Sequence, residues 1–101
     1  MRVIGSVEVA GTEYQAIWAS LSSINGHLAD SDPRQALAVQ TKDGQSKAII
    51  PRNAKLAEVE QAIGHLRSLG LKDSHLHPLF NYKGKPAGLA QHVKVLVSRL
   101  R

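Results

Sequence analysis

A tight hairpin is the feature of this sequence that most restricts how the chain can fold. In ALAVQTKDGQSKAII, residues 36–50, two short apolar runs flank the segment Lys42-Asp43-Gly44-Gln45. Asp-Gly is a favoured sequence for the short turns that join neighbouring antiparallel strands. A proline follows the second run, and proline ends strands because it has no backbone N–H to donate. The segment therefore predicts two paired strands.

The first 25 residues predict a strand followed by a helix. In MRVIGSVEVAG, β-branched residues alternate with polar or small ones before a break at Ala10-Gly11, as in a half-buried strand. In the residues that follow, apolar side chains recur at helical spacing, and Thr12 and Gln15 form a capping-box pattern. An alternative interpretation makes AGTE a hairpin turn and the next residues a returning strand. The longer periodic pattern favours a helix over residues 12–25.

Two further helices are predicted in the second half of the chain. The first extends from a cap at Asn53 to a stop at Gly70. The second begins near Pro86, because proline favours the first turn of a helix. Their apolar stripes consist of Leu56, Val59, Ile63, Leu66 and Leu69 in the first helix and of Leu89, Val93, Leu96 and Leu100 in the second.

The order of these elements predicts an α+β fold. If SHLHPLF, residues 74–80, pairs as a short strand, the order becomes β-α-β-β-α-β. That order is typical of a ferredoxin-like domain, here with an added C-terminal helix. A chain of 101 residues is long enough for one core, so residues 1–101 are predicted to form a single domain.

The absence of cysteine restricts both chemistry and compartment. Without cysteine, disulfides and thiolate metal sites are excluded, which suits a reducing environment. The N-terminal segment contains no apolar run of signal-peptide length, and no later segment approaches the length of a membrane span. We therefore expect a cytoplasmic protein that does not associate with membranes.

Positive charge is concentrated at the C-terminal end of the sequence. The chain has a net charge of +5, and residues 74–101 contain no aspartate or glutamate. Such an asymmetry is typical of proteins that bind an anionic partner. The cations of this segment are Lys83, Lys85, Lys94, Arg99 and Arg101.

The segment NYKGKPAG is the candidate centre of a binding surface. Lys83 and Lys85 directly precede the last predicted helix, whose first amides and dipole favour a phosphate. Gly84 and Gly88 allow a phosphate to approach the backbone closely. Tyr82 lies beside the lysines and is a candidate for stacking on a base.

The last predicted helix extends this basic surface. At about 100° per residue, Lys94 and Arg101 fall on one flank of its apolar stripe and Arg99 falls on the other. Lys42 and Lys47 extend the surface further if the hairpin lies on the same side.

The leading prediction is a small DNA- or RNA-binding protein that contacts phosphates, performs no catalysis and needs no cofactor or metal. The main alternative is a protein-interaction module or small inhibitor that docks its basic face on an acidic partner.

Two histidines in SHLHPLF suggest a third hypothesis. In a strand, His75 and His77 project from the same face and lie close enough to share a metal ion. The motif HLH is similar to the histidine-hydrophobe-histidine motif of the HUH endonucleases, and residues 69–81 resemble its relaxase version locally. The resemblance implies a metal-dependent nuclease in which the two histidines hold a divalent metal. It also implies that Tyr82 or Tyr14 is the nucleophile that attacks a DNA phosphate.

Overall fold

Four strands form a sheet, and most of the helical part of the chain follows them. A computed structural model describes residues 2–25 and 34–100. The strands are β1 (Arg2–Val9), β2 (Thr12–Ser20), β3 (Gln35–Thr41) and β4 (Ser46–Pro51), and the helices are α1 (Leu21–Asn25), α2 (Leu56–Ser68), α3 (Asp73–Leu79) and α4 (Leu89–Arg99). Each strand pairs antiparallel with the next one in sequence, so the sheet is a meander of order β1-β2-β3-β4.

The predicted α+β single domain is confirmed, but the ferredoxin-like order is wrong. A ferredoxin-like domain has a helix between its first two strands. Here β1 and β2 are instead joined directly by a tight turn, and α2, α3 and α4 all follow the sheet. Residues 74–80, predicted as a strand, lie almost entirely in α3.

Residues 12–20 form strand β2, so the predicted helix over residues 12–25 is wrong except at its end, in α1. The alternative hairpin interpretation is confirmed, since Ala10 and Gly11 form a two-residue turn with φ angles of 51° and 81°. Residues 16–19 are all buried, because their side chains alternate between two apolar clusters on opposite faces of the sheet. A continuous apolar run of this kind fits helical spacing as well as it fits a strand.

The predicted hairpin of β3 and β4 is confirmed. Gly44 has a φ of 87°, a conformation that glycine adopts without steric cost. Its amide donates to the Thr41 carbonyl at 2.9 Å, and the Thr41 amide donates to the Gln45 carbonyl at 3.0 Å. The local Asp-Gly signal is therefore sufficient to place this turn.

The hairpin turn is expected to lose stability at low pH. The Thr41 hydroxyl donates a hydrogen bond to Asp43, and this lowers the pKa of the Asp43 carboxyl below its ordinary value of 3.8. Hydrogen bonds from backbone amides of the turn and the charge of Lys47 lower this pKa by smaller amounts. A carboxyl group whose pKa is lower in the folded state than in the unfolded state stabilises the fold at pH values above its ordinary pKa. This stabilisation is lost as the pH falls through the lowered, folded-state pKa. Thermal unfolding of Asp43→Asn should therefore depend less on pH in that range than unfolding of the wild type. Equal pH dependence in the two proteins would contradict this assignment.

Helices α2, α3 and α4 pack on one face of the sheet and form the main core. Trp18, the one tryptophan of the chain, is 3% exposed in this core. Phe80, the residue that follows α3, is fully buried in the same cluster. The helices are short, and none within the described residues combines the length and apolarity needed to cross a membrane.

The predicted helix over residues 53–70 is confirmed with small shifts at its ends. The helix begins after Lys55 rather than at Asn53, and Gly70 (φ 99°) turns the chain away from it as predicted. Leu69, predicted to be buried, is 41% exposed because it lies beyond the last helical residue. The buried residues of the stripe are Val59, Ile63 and Leu66.

Helix α3 packs against β1 at an irregularity in the strand pairing. The register of β1 on β2 shifts between Val3 and Gly5, and Gly5 lies directly against the carbonyl groups at the end of α3. The Asn81 side-chain amide donates to the Ile4 carbonyl at 2.6 Å, which satisfies an acceptor at the irregularity. Asn81 has a φ of 55° and turns the chain out of α3. This contact fixes where the loop after α3 begins.

Candidate nucleic-acid interface

The loop between α3 and α4, residues 80–88, is folded around the ring of Tyr82. The Tyr82 amide donates to the His77 carbonyl and its hydroxyl donates to the Lys85 carbonyl, each at 2.7 Å. The ring centroid lies 5.1 Å from that of His77, in a T-shaped arrangement, and 4.8 Å from that of His92. Tyr82 therefore ties the loop to both flanking helices.

Two glycines make room for the Tyr82 side chain. A Cβ atom on Gly84 would lie 2.3 Å from the Tyr82 hydroxyl oxygen, and a Cβ atom on Gly88 would lie 2.4 Å from it. In the sequence these glycines predict close approach of a phosphate, whereas in the structure the tyrosine occupies that space. Stacking of Tyr82 on a base stays a prediction, and only the part of the half-buried ring that the imidazoles leave uncovered is open to a ligand.

Lys83 and Lys85 lie on the outside of this loop with both side chains exposed. Among the described residues, no carboxylate pairs with either ammonium group. Pro86–Gly88 form a single 3-10 turn that leads into α4, so the lysines precede a helix N-terminus as predicted. Unsatisfied amides and the helix dipole add positive potential at this end.

Helix α4 carries two more exposed cations on opposite sides of its buried face. Val93 and Val97 face the core, while Lys94 and Arg99 are exposed. Lys94 and Arg99 project about 140° apart around the helix axis, as the helical period predicts. Arg101, predicted on the Lys94 flank, lies outside the described residues.

Folding brings Arg52 and Asn53 against the Lys94 side of α4. A cleft of about 420 Å³ lies between α4 and the turn that joins β4 to α2. Sequence reasoning missed Arg52 because it is distant from Lys94 along the chain and no local pattern links them. The cleft is lined by Arg52, Asn53, Ala54, Gln91, Lys94, Val95 and Ser98.

Folding also brings carboxylates towards the C-terminal cations. Glu60 and Arg67 of α2 share a depression with Pro86, the residue after Lys85. The Arg67 guanidinium donates to the Asp73 carboxylate at 2.7 Å, so these two charges offset each other. The lack of carboxylates over residues 74–101 therefore does not extend to the whole surface around the Lys83 and Lys85 loop.

His75 and His77 lie on α3, so the prediction that they project from one strand face is wrong. Residues two apart on a helix project about 200° apart. His75 Nδ1 accepts a hydrogen bond from the Lys72 amide at 3.0 Å, at the start of α3. Tyr14, the other proposed nucleophile, packs against the main core from β2. Within residues 2–25 and 34–100, no three histidine or carboxylate side chains are grouped to hold a metal ion, so the described part of the chain lacks the geometry that the HUH resemblance implies.

Lys42 and Lys47 are placed away from α4. They line a depression of about 650 Å³ beside the two hairpin turns, together with Glu8, Glu13 and Asp43. Along β4, Lys47 lies about 17 Å from the position of Arg52, at roughly 3.3 Å per residue. These lysines are therefore distant from the cations around α4, and carboxylates in the same depression offset their charge.

Two cationic features therefore lie along α4, one at the Lys83 and Lys85 loop and one at the cleft beside Lys94. Lys94 lies nine positions after Lys85 in the sequence, which corresponds to about 15 Å at 2.0 Å per residue over the 3-10 turn and 1.5 Å per residue over α4. The two features are separate positions for an anion, one in the loop before α4 and one beside α4 itself. No family model, curated protein or solved structure matches this chain.

Proposed function

We propose that this protein binds DNA or RNA through the cations around α4 and does not catalyse a reaction on it. The observation that carries the proposal is a set of exposed cations without a carboxylate partner among the described residues. Their charge is available for phosphates, and the release of counterions from the nucleic acid favours such contacts. These cations are Lys83, Lys85, Lys94 and Arg99.

The spread of these cations favours a polymeric anion over a small one. The path from Lys85 to Arg99 is about 22 Å, at 2.0 Å per residue over the 3-10 turn and 1.5 Å per residue over α4. A small anion contacts only one part of that path. A nucleic-acid strand carries a phosphate charge about every 3.4 Å along a duplex axis, so one strand contacts several of these cations. Contacts to phosphates position a protein without reading its target sequence, so we propose binding with little sequence preference.

Replacing Lys83, Lys85 and Arg99 together with glutamine is expected to weaken binding to single-stranded oligonucleotides at least tenfold at low salt. Each lost phosphate contact reduces the slope of log K against log salt by about 0.7 for single strands, so the slope should fall by about 2. The measurement is a fluorescence-polarisation titration with labelled single- and double-stranded oligonucleotides at several salt concentrations.

The matched control removes three cations from the strands and the β3–β4 turn, in the variant Arg2→Gln, Lys42→Gln and Lys47→Gln. It has the same net charge as the first variant, so it separates a local contact from a general loss of charge. We expect it to bind nearly as well as the wild type. A wild-type protein with no affinity for either polymer at low salt would contradict the proposal. A stoichiometric complex with an acidic protein, without oligonucleotide binding, would support the protein-docking alternative instead.

A further inference from the structure

The cleft between Arg52 and Lys94, here called the Arg52–Lys94 cleft, has a lining that suits an anion. Among the described residues that line it there is no carboxylate. The depression beside Pro86 contains Glu60, and the one at the hairpin turns contains three carboxylates. Positive charge in the cleft is therefore not offset by a neighbouring acid in its own wall.

Four exposed side chains are able to donate hydrogen bonds into the cleft. Arg52 supplies a planar guanidinium, which suits two oxygens of one phosphate, and Lys94 supplies a second positive charge. Asn53 and Gln91 add neutral amide donors. Ser98 also lines the cleft, but its hydroxyl already donates to a carbonyl one turn earlier in α4. The donors needed for a phosphate therefore come from two elements of the fold.

The turn that carries Arg52 is held in place by backbone hydrogen bonds. The Arg52 amide donates to the Gln35 carbonyl at 3.1 Å, and the Ala54 amide donates to the Pro51 carbonyl at 3.0 Å. Ala54 is 8% exposed and belongs to the main core. Because the backbone on this side of the cleft is fixed, ligand binding requires ordering of side chains only, which reduces its entropic cost.

The carboxylate nearest to this turn in sequence is directed elsewhere. Glu58, in the first turn of α2, accepts a hydrogen bond from the Lys55 amide at 3.1 Å. It lines a different depression, beside Ala48 and His65.

We infer that the Arg52–Lys94 cleft binds one phosphate group of the nucleic-acid backbone. This inference rests on the proposed function, because the phosphate it assigns belongs to the nucleic acid. Lys94 in the cleft lies about 15 Å from Lys85 along the 3-10 turn and the start of α4, so a second phosphate of the same strand reaches the Lys83 and Lys85 loop. Arg52 thereby joins the interface although it is far from the basic C-terminal segment in sequence.

The first test removes the two charges of the cleft. The double variant Arg52→Gln and Lys94→Gln is expected to bind single-stranded oligonucleotides about tenfold more weakly at low salt. The slope of log K against log salt should fall by about 1.4, for two lost contacts. The Lys94→Arg variant, which keeps the charge, should bind like the wild type. Both positions are exposed, and thermal unfolding followed by circular dichroism verifies that the variants are folded.

The second test uses inorganic phosphate as a probe, with backbone amide shifts measured by NMR. Saturable shifts at residues 52–54 and at Lys94 are expected in the wild type and not in the double variant. If the double variant keeps wild-type oligonucleotide affinity while the variant at Lys83, Lys85 and Arg99 loses it, the cleft is excluded and the proposed function stands. If phosphate shifts the cleft but no oligonucleotide binds, both nucleic-acid proposals are overturned and the cleft takes a small phosphorylated ligand. If neither inorganic phosphate nor an oligonucleotide binds, the proposed function and the phosphate site in the cleft are both overturned.

Discussion

Gly5→Ala is expected to destabilise the protein by about 3 kcal/mol, at the upper end of typical overpacking effects. The added Cβ atom would lie 2.4 Å from the Leu79 carbonyl oxygen and 2.8 Å from the Pro78 carbonyl oxygen. Both oxygens belong to the backbone of α3, so no side-chain rotation relieves the contact. The helix has to move away from β1, which also strains the hydrogen bond from Asn81 to the Ile4 carbonyl.

Urea unfolding followed by circular dichroism measures this change in the free energy of unfolding. Gly64→Ala in α2 is the control, because nothing lies within 4 Å of the added Cβ atom there. Alanine is a better helix former than glycine, so this variant should be more stable by about 0.5–1 kcal/mol. We therefore expect Gly5→Ala to lower the free energy of unfolding and Gly64→Ala to raise it. An unchanged midpoint for Gly5→Ala would show that α3 does not pack on β1 in this way.

Local signals account for the elements that the sequence predicts correctly. The Asp43-Gly44 turn needs a positive φ and the stripe of α2 repeats at helical spacing, and neither depends on a distant residue. Strand β2 is different because its side chains are buried in apolar clusters on both faces of the sheet. Its assignment as a strand therefore depends on pairing with β3, which a local apolar pattern does not reveal.

At the candidate interface, too, some residues can be identified from local sequence and others only from the fold. The cations at Lys83, Lys85, Lys94 and Arg99 can be found from their concentration in one segment of sequence. The contribution of Arg52 depends on the position of the turn after β4 relative to α4, which only the folded chain defines. The packing of Tyr82 between two imidazoles likewise depends on α3 being a helix, whereas the sequence pattern favoured a strand there.

Gly84→Ala and Gly88→Ala are each expected to destabilise the protein by about 2 kcal/mol, because both crowd the Tyr82 side chain. The Tyr82 hydroxyl would have to leave the Lys85 carbonyl, to which it donates at 2.7 Å. The two glycines differ in which atoms of the tyrosine they meet. On Gly84 the new Cβ atom would lie 2.5 Å from Cζ and 2.8 Å from Cε1, whereas on Gly88 it would lie 3.5 Å from Cζ.

Tyr82→Phe should therefore rescue Gly88→Ala but not Gly84→Ala. Removal of the hydroxyl oxygen leaves an ordinary van der Waals contact at Gly88 and a clash with ring carbons at Gly84. Tyr82→Phe alone costs about 1 kcal/mol, for the lost hydrogen bond. In two double-mutant cycles measured by urea unfolding, we expect a coupling energy of about 2 kcal/mol for the Gly88 pair and little coupling for the Gly84 pair. Equal coupling in both cycles would mean that the tyrosine leaves its position altogether. In that case the loop that carries Lys83 and Lys85 would not depend on Tyr82 for its conformation.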